Sequence, residues 1–321
     1  MKFYANEKIS NLSEELKNIL DTYKFKRNFS PENYIKNKIN LLNKYMKESK
    51  LDTCVVAVSG GLDSALVLAL VNEAKSEENS PIKKIVPISL PVNGTKGAVN
   101  QDIAEEKAKK ICNKFNLELI TIDLKDSFSQ LRNDVNNSIN IEGKEWADGQ
   151  LVSYLRTPTL YYVTSLLNQE GYRPIVVGTT NKDEGSYLGY FGKASDGMVD
   201  VQLISDIHKS EVFLLSEKLG VINEILYSVP TGDMYDNRSD EEVFGAPYDF
   251  VELYTLYMED KSLINIDNLP IDVKNEFNLL KNNLDELHKY NSHKYLGKSP
   301  AVHLDVLPYK FEKSWTYYVY K

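Results

Sequence analysis

The decapeptide Ala57-Val58-Ser59-Gly60-Gly61-Leu62-Asp63-Ser64-Ala65-Leu66, AVSGGLDSAL, closes one apolar run and opens another. A tight turn, a kinase-type phosphate loop or a more particular anion site could each place glycines at such a junction. The kinase-type loop needs a lysine after its glycines. Here Leu62-Asp63-Ser64 follows instead. The glycines still let backbone N–H groups approach an anion, and the start of the next helix favours negative charge. An aspartate beside a phosphate repels it unless a divalent cation lies between them. The loop therefore suits a pyrophosphate that carries Mg2+, including one that leaves as a product.

Working outward, residues 54–58 read as a strand and 63–75 as a helix with Leu66, Leu70 and Ala74 on one side. Residues 84–90 form a strand candidate, 97–115 a helix and 117–122 a strand. A long helix falls within 145–169, and 174–178 is a short buried strand. Upstream, Ser30-Pro31-Glu32 offers a cap and a proline at the first helical position. Ile35, Ile39, Leu42 and Met46 then recur at spacings of three and four, which predicts an amphipathic helix over 31–49. Strands alternating with helices predict an α/β fold, a doubly wound parallel sheet with helices on both faces. Ligands of such sheets bind beyond the carboxyl ends of the strands. Residues 59–64, 89–97 and 178–184 would meet there.

Residues 1–30 are polar and helical in flavour, with little that demands burial. The text of 179–250 is rich in Gly, Asp, Tyr and Lys, which suits functional loops more than core. Residues 270–292 read as a helix, and the tail from His293 is irregular and aromatic, suited to packing. The division expected is an arm over 1–29, one large domain over 30–294 and a tail over 295–321.

With 321 residues, 42% hydrophobic and 26% charged, the chain can bury one large core with appendages. No segment reaches the roughly 18 consecutive apolar residues of a membrane span, and the start MKFYANEKIS lacks the apolar core of a secretory signal. Only Cys54 and Cys112 occur, read as buried thiols, so a reducing cytoplasm is expected. A net charge of −8 argues against a broad nucleic-acid surface. An anionic substrate needs only a locally basic pocket.

SGGLDS resembles the S-G-G-x-D-S loop of the ATP pyrophosphatase superfamily, which cleaves ATP between its α and β phosphates. Seven downstream stretches narrow the resemblance: GTTNKDE from Gly178, GYFGK from Gly189, DGMVD from Asp196, IHKSE from Ile207, PTGD from Pro230, SDEE from Ser239 and GAPYD from Gly245. In this order they resemble the NAD synthetase family over about residues 30–294. The resemblance implies an adenine nucleotide alpha-hydrolase-like fold and ATP-dependent amidation of nicotinic acid adenine dinucleotide through an acyl-adenylate. It implies Asp63 and Glu184 as magnesium ligands, and Lys209 and Thr231 as ATP phosphate contacts. Ser59, Gly60, Gly61, Leu62, Ser64 and Thr179 complete that cradle, while Arg156, Lys193, Asp200, His293 and Lys294 match the family's acid-binding positions. Asp63 and Lys209 are the candidate catalytic pair.

The chain departs from the family pattern in places. Tyr154-Leu155-Arg156 keeps only the second arginine of an Arg-x-Arg pair, and Ser89 stands where the family often has Arg. These changes touch the acceptor more than the reaction type. No room exists for an amidohydrolase domain, so free ammonia is the expected nitrogen donor, and a homodimer is expected because the family's acid site lies close to a subunit interface. Plainer readings stand beside these: Asp63 as a helix cap, Glu184 as a solvated loop acid, the lysines as surface decoration, His293 as an exposed side chain, Asp196 and Asp233 as turn formers. His208 is assigned no role. The competing functions are a paralogue that amidates another carboxylic acid, a transfer-RNA-modifying pyrophosphatase and a non-catalytic nucleotide-binding module.

Overall fold

The computed structural model describes residues 11–92, 101–232, 238–295, 302–304 and 306–307. Residues 1–10, the end of the 89–97 loop, the start of the helix expected from 97, Asp233 and most of the tail lie outside the described residues. Six strands form one parallel sheet: β1 (Thr53–Ala57), β2 (Lys84–Ser89), β3 (Ile120–Thr121), β4 (Pro174–Gly178), β5 (Val201–Gln202) and β6 (Val302–His303). The helices before the sheet centre are α1 (Glu14–Arg27), α2 (Pro31–Glu48), α3 (Leu62–Ser76) and α4 (Gln101–Lys114). Then follow α5 (Lys125–Ile139), α6 (Glu145–Gln169), α7 (Lys209–Lys218) and α8 (Asn223–Leu226). The last are α9 (Asp240–Phe244), α10 (Tyr248–Glu259) and α11 (Ile271–Asn291).

The spatial order is β3-β2-β1-β4-β5-β6, with every neighbouring pair parallel. Winding reverses between β1 and β4, so the loops leaving these two strands part and open a crevice at their carboxyl ends. TCVVA, KIVPIS and PIVVG are near-continuous apolar runs because both faces of the sheet are covered. Within β1 the side chains alternate. Cys54 and Val56 join the core with Leu42, Leu66 and Val212, and Val55 joins the opposite one with Phe128, Val152 and Leu160. This is the doubly wound arrangement expected. Cys54 and Cys112 are buried free thiols, and burial pushes both up to about 12.

α2 starts as read: Ser30 Oγ accepts the Asn33 N–H at 3.4 Å, and Tyr34, Ile39, Leu42 and Met46 are buried. Three expectations are corrected. Residues 1–30 do carry burial, because α1 places Leu16, Leu20 and Tyr23 in a second core with Phe250, Phe277 and Leu284. These apolar residues lie on one helical face, at spacings of four and three, among the polar residues of the rest of the helix. Residues 179–250 contribute to the core more than expected: among their loops, α7 and α9 bury Val212, Phe213 and Phe244. The strand expected over 117–122 shrinks to Ile120–Thr121, exposed at the sheet edge. α5 lies in a stretch to which no element was assigned. Among the described residues, no helix is long and apolar enough to cross a membrane.

One aspartate fastens distant segments. Asp206 Oδ1 accepts from Tyr34 Oη at 2.6 Å and Lys38 Nζ at 3.0 Å. Its Oδ2 accepts from the N–H groups of Val306 at 2.6 Å and Leu307 at 3.0 Å. Lys38 and Asp206 are both buried.

Candidate active site

The loop after β1 folds on itself. Ser64 Oγ donates to the Gly61 carbonyl at 3.0 Å and accepts the Ser59 N–H at 3.2 Å. Gly60 has a φ of +81°, and a side chain there would run into the Ala104 carbonyl on α4. Glycine is therefore required by backbone conformation and by space. α3 begins after Gly61 with no side chain capping it, while Ser59 and Gly61 stay exposed. Uncapped N–H groups at a helix start form an anion site.

Asp63 does not cap α3. Its Oδ1 accepts from Asn181 Nδ2 at 2.8 Å, and its Oδ2 takes a short ion pair from Lys209 Nζ. The same ammonium contacts Glu184 Oε1 at 3.0 Å. Lys209 opens α7, Asp63 opens α3, and Glu184 lies on a π-helical turn, Asp183–Leu188, that follows β4. Residues 118–146 positions apart in sequence thus converge because β1 and β4 are neighbours. π-helical turns recur at functional sites, where they re-aim a side chain. The two carboxylates meeting on one cation are a donor set that fits a divalent metal.

The surroundings hold this group in place. Asn181, fully buried, accepts the Glu184 N–H on Oδ1 at 3.1 Å while its amide nitrogen holds Asp63. Asp183 accepts the Lys209 N–H at 2.7 Å and bonds His208 Nδ1 at 2.6 Å. Burial pushes the Asp183 carboxyl up to about 6 and holds the His208 imidazole well below its ordinary range. Above that pH the neutral ring donates Nδ1–H to the carboxylate. Tyr248 Oη lies 2.9 Å from both Glu184 Oε1 and Asp240 Oδ2. The two carboxyls thus share one hydroxyl hydrogen. Burial raises Glu184, with Lys209 opposing and Asp63 and Asp240 adding, and it raises Asp240 as well. Asp240 also accepts the Gly232 N–H at 2.9 Å, tying the exposed Thr231 segment to the cluster.

A cavity beside the cluster is lined by Ser59, Ser89, Arg156, Gly178, Thr179 and Asp196, at the ends of β1, β2 and β4. Arg156 Nε donates to the Leu90 carbonyl at 3.3 Å there. The remaining predicted residues are spread out. Lys193 is exposed, and His293 is exposed with Nδ1 2.9 Å from the Tyr290 carbonyl. Asp200 spends its oxygens on the Val176 N–H at 2.7 Å and Tyr161 Oη at 3.1 Å, which fastens it to β4. Lys294 Nζ donates to the Gly189 carbonyl at 2.9 Å above the Phe191 ring, and burial lowers its ammonium to about 8. Asn181, Asp183, His208, Asp240 and Tyr248 carry roles that the sequence reading did not assign. One of them had a neighbouring signal: Ser239, just before Asp240, begins a capping box closed by Glu242.

The uncapped helix start, the acidic pair and the lysine at the crevice of a parallel sheet define a nucleotide-handling α/β enzyme. Residues 34–295 match the family model described as NAD synthase. An NH(3)-dependent NAD(+) synthetase of Carboxydothermus hydrogenoformans is 31% identical over 219 residues, covering 68% of this chain and 82% of that protein. Among solved structures, NMN synthetase from Francisella tularensis aligns with a TM-score of 0.65 at 23% identity, covering 83% of this chain and 96% of that one. An NH3-dependent NAD synthetase of Campylobacter jejuni aligns with a TM-score of 0.59 at 20% identity, covering 83% and 96% of the two chains. The chain belongs to the NAD synthase family, and it is an ATP-using ligase that forms a C–N bond.

Proposed function

We propose that the chain amidates nicotinic acid adenine dinucleotide to NAD, with ammonia as nitrogen donor. The substrate carboxylate oxygen attacks the α-phosphorus of ATP, and pyrophosphate leaves. Ammonia then attacks the acyl carbon, AMP departs with the carboxylate oxygen, and the nitrogen loses its extra proton. The convergence of Asp63 and Glu184 on the Lys209 ammonium carries this reading. Both reactants are anions, so charge must be neutralised along the transferring group.

Lys209 would act as a point charge on the phosphates, with Thr231 beside it. The N–H groups at the start of α3, with Ser59, Gly60, Gly61, Leu62, Ser64 and Thr179, would cradle them. Asp63 and Glu184 would hold Mg2+, which supplies further neutralisation of phosphate charge when bound. Tyr248 and Asn181 orient those two carboxylates by the bonds described. Arg156, Lys193, Asp200, His293 and Lys294 would serve the acid. Residues 30–294 would be the catalytic unit, flanked by 1–29 and 295–321, in the cytoplasm.

A homodimer belongs to this proposal. α5 and its junction with α6 expose the apolar side chains Leu131, Val135, Ile139, Ile141 and Trp146, which a second copy would cover. Sedimentation should give a dimer for the native chain and a monomer for Val135→Glu with Ile139→Glu. A native monomer would remove this part.

A second reading is a family member that acts on another acid. Tyr154 replaces the first arginine of the expected pair and bonds Gln150 at 3.1 Å. The acid form of NMN is the first alternative to assay. The test supplies ATP, Mg2+, ammonium and each acid in turn, and follows pyrophosphate and amide together. NAD formation supports the first reading. Turnover confined to another acid supports the second, and no pyrophosphate with any acid rejects both.

A further inference from the structure

α1 lies outside the residues matched by the family model, yet its last residue reaches the first turn of α7. Arg27 Nε donates to Glu211 Oε1 at 2.5 Å, and its Nη2 donates to Glu211 Oε2 and the Asp206 carbonyl, each at 3.0 Å. The two side chains are 11% and 5% exposed. Glu211 Oε2 also accepts the His208 N–H at 2.9 Å, on the residue before Lys209. His208 bonds Asp183, which accepts the Lys209 N–H. A continuous line of buried bonds therefore runs from Arg27 to the backbone of Lys209 and to the turn that bears Glu184.

We infer that Arg27 is a positioning residue for Lys209, acting through Glu211 and His208. The inference rests on the proposed role of Lys209 as a phosphate contact. A buried ion pair is one-sided in its effects: removing one member leaves the other as an uncompensated charge. Without the guanidinium, Glu211 would turn toward water. That removes a planar anion from the His208 N–H and loosens the helix start that aims the ammonium. A bidentate fork fixes this geometry as a lysine cannot.

Arg27→Met and Arg27→Lys in the full chain test the inference at a temperature where circular dichroism shows both folded. The readouts are hydrogen exchange of the amides of residues 208–212 and steady-state kinetics with ATP and ammonium varied separately. Arg27→Met should lower kcat on the order of ten- to a hundredfold. It should leave the KM for ammonium unchanged and speed exchange over 208–212. Arg27→Lys should fall between it and the native enzyme on each readout. Native kcat in Arg27→Met would overturn the inference. So would a fall in melting temperature with the 208–212 amides as protected as in the native chain. If Arg27→Met does not fold, Arg27→Lys decides by the same signs. Should the native chain release no pyrophosphate with any acid, the proposed reaction fails, and exchange over 208–212 still judges the latch by itself.

Discussion

Asp63, Glu184 and Lys209 are held by buried bonds from Asn181, Asp183 and Tyr248, whereas Lys193 and His293 stand exposed and Asp200 is committed to β4. On the proposed function these are the nucleotide half and the acid half of the site, and they are built to different degrees. The nucleotide half draws its residues from the ends of adjacent strands and from helix starts, whose positions the sheet fixes. The acid half draws on α6, on the turns over 189–200 and on the short turn after α11, where Lys193 and His293 are exposed. Preorganised charge costs no reorganisation during reaction. On the proposed function, the nucleotide half would carry the chemistry, and the acid half would tune which carboxylate enters.

The largest break in this contrast comes from Asp63→Asn. Turnover should fall on the order of a thousandfold with the fold retained, as judged by pyrophosphate release and circular dichroism. Near-native turnover would remove the charge argument. Asn181→Ala strikes the support rather than the group itself. It should cost about ten- to a hundredfold in kcat and weaken the response to Mg2+, because Asp63 and the Glu184 turn lose a shared partner. A magnesium titration of initial rates measures this. On the acid side, Lys294→Met should raise the KM for the acid about tenfold at unchanged kcat, the mark of lost ground-state binding. A fall in kcat with constant KM would move Lys294 to the nucleotide half.

The smallest effect concerns Glu252, buried on α10 with Lys24 at 3.2 Å. Burial raises its carboxyl to about 8, above its ordinary 4.5. The folded state then binds the proton more tightly than the unfolded state between these values. Stability from this group is full below about pH 4.5 and declines as pH rises toward 8. Glu252→Gln should narrow the melting-temperature difference between pH 5 and pH 8 by raising the value at pH 8. An unchanged difference would show that Lys24 neutralises the carboxylate.

The sheet was legible because β1, β2 and β4 are apolar on both faces and bounded by turn residues, and the anion loop because its glycines and aspartate sit at a strand–helix junction. The supports were not. Asn181 and Asp183 look like loop polarity in sequence, and only the widened turn over Asp183–Leu188 directs Glu184 to Lys209. His208 reads as a lone histidine, yet it is buried against Asp183. Buried hydrogen bonds between distant segments leave no periodic trace. The burial of α1 was missed for a related reason: Leu16, Leu20 and Tyr23 need α10 and α11 to become core, and nothing local announces those partners.

Asp206 gathers Tyr34 and Lys38 from α2 with the backbone of Val306 and Leu307. A polypeptide stopped at residue 304 would deprive this carboxylate of two amide donors and leave it leaning on one hydroxyl and one ammonium. Shortening the C-terminal segment should therefore be felt first near the other end of the sequence, as a weakened seat for α2, well before any ligand is involved.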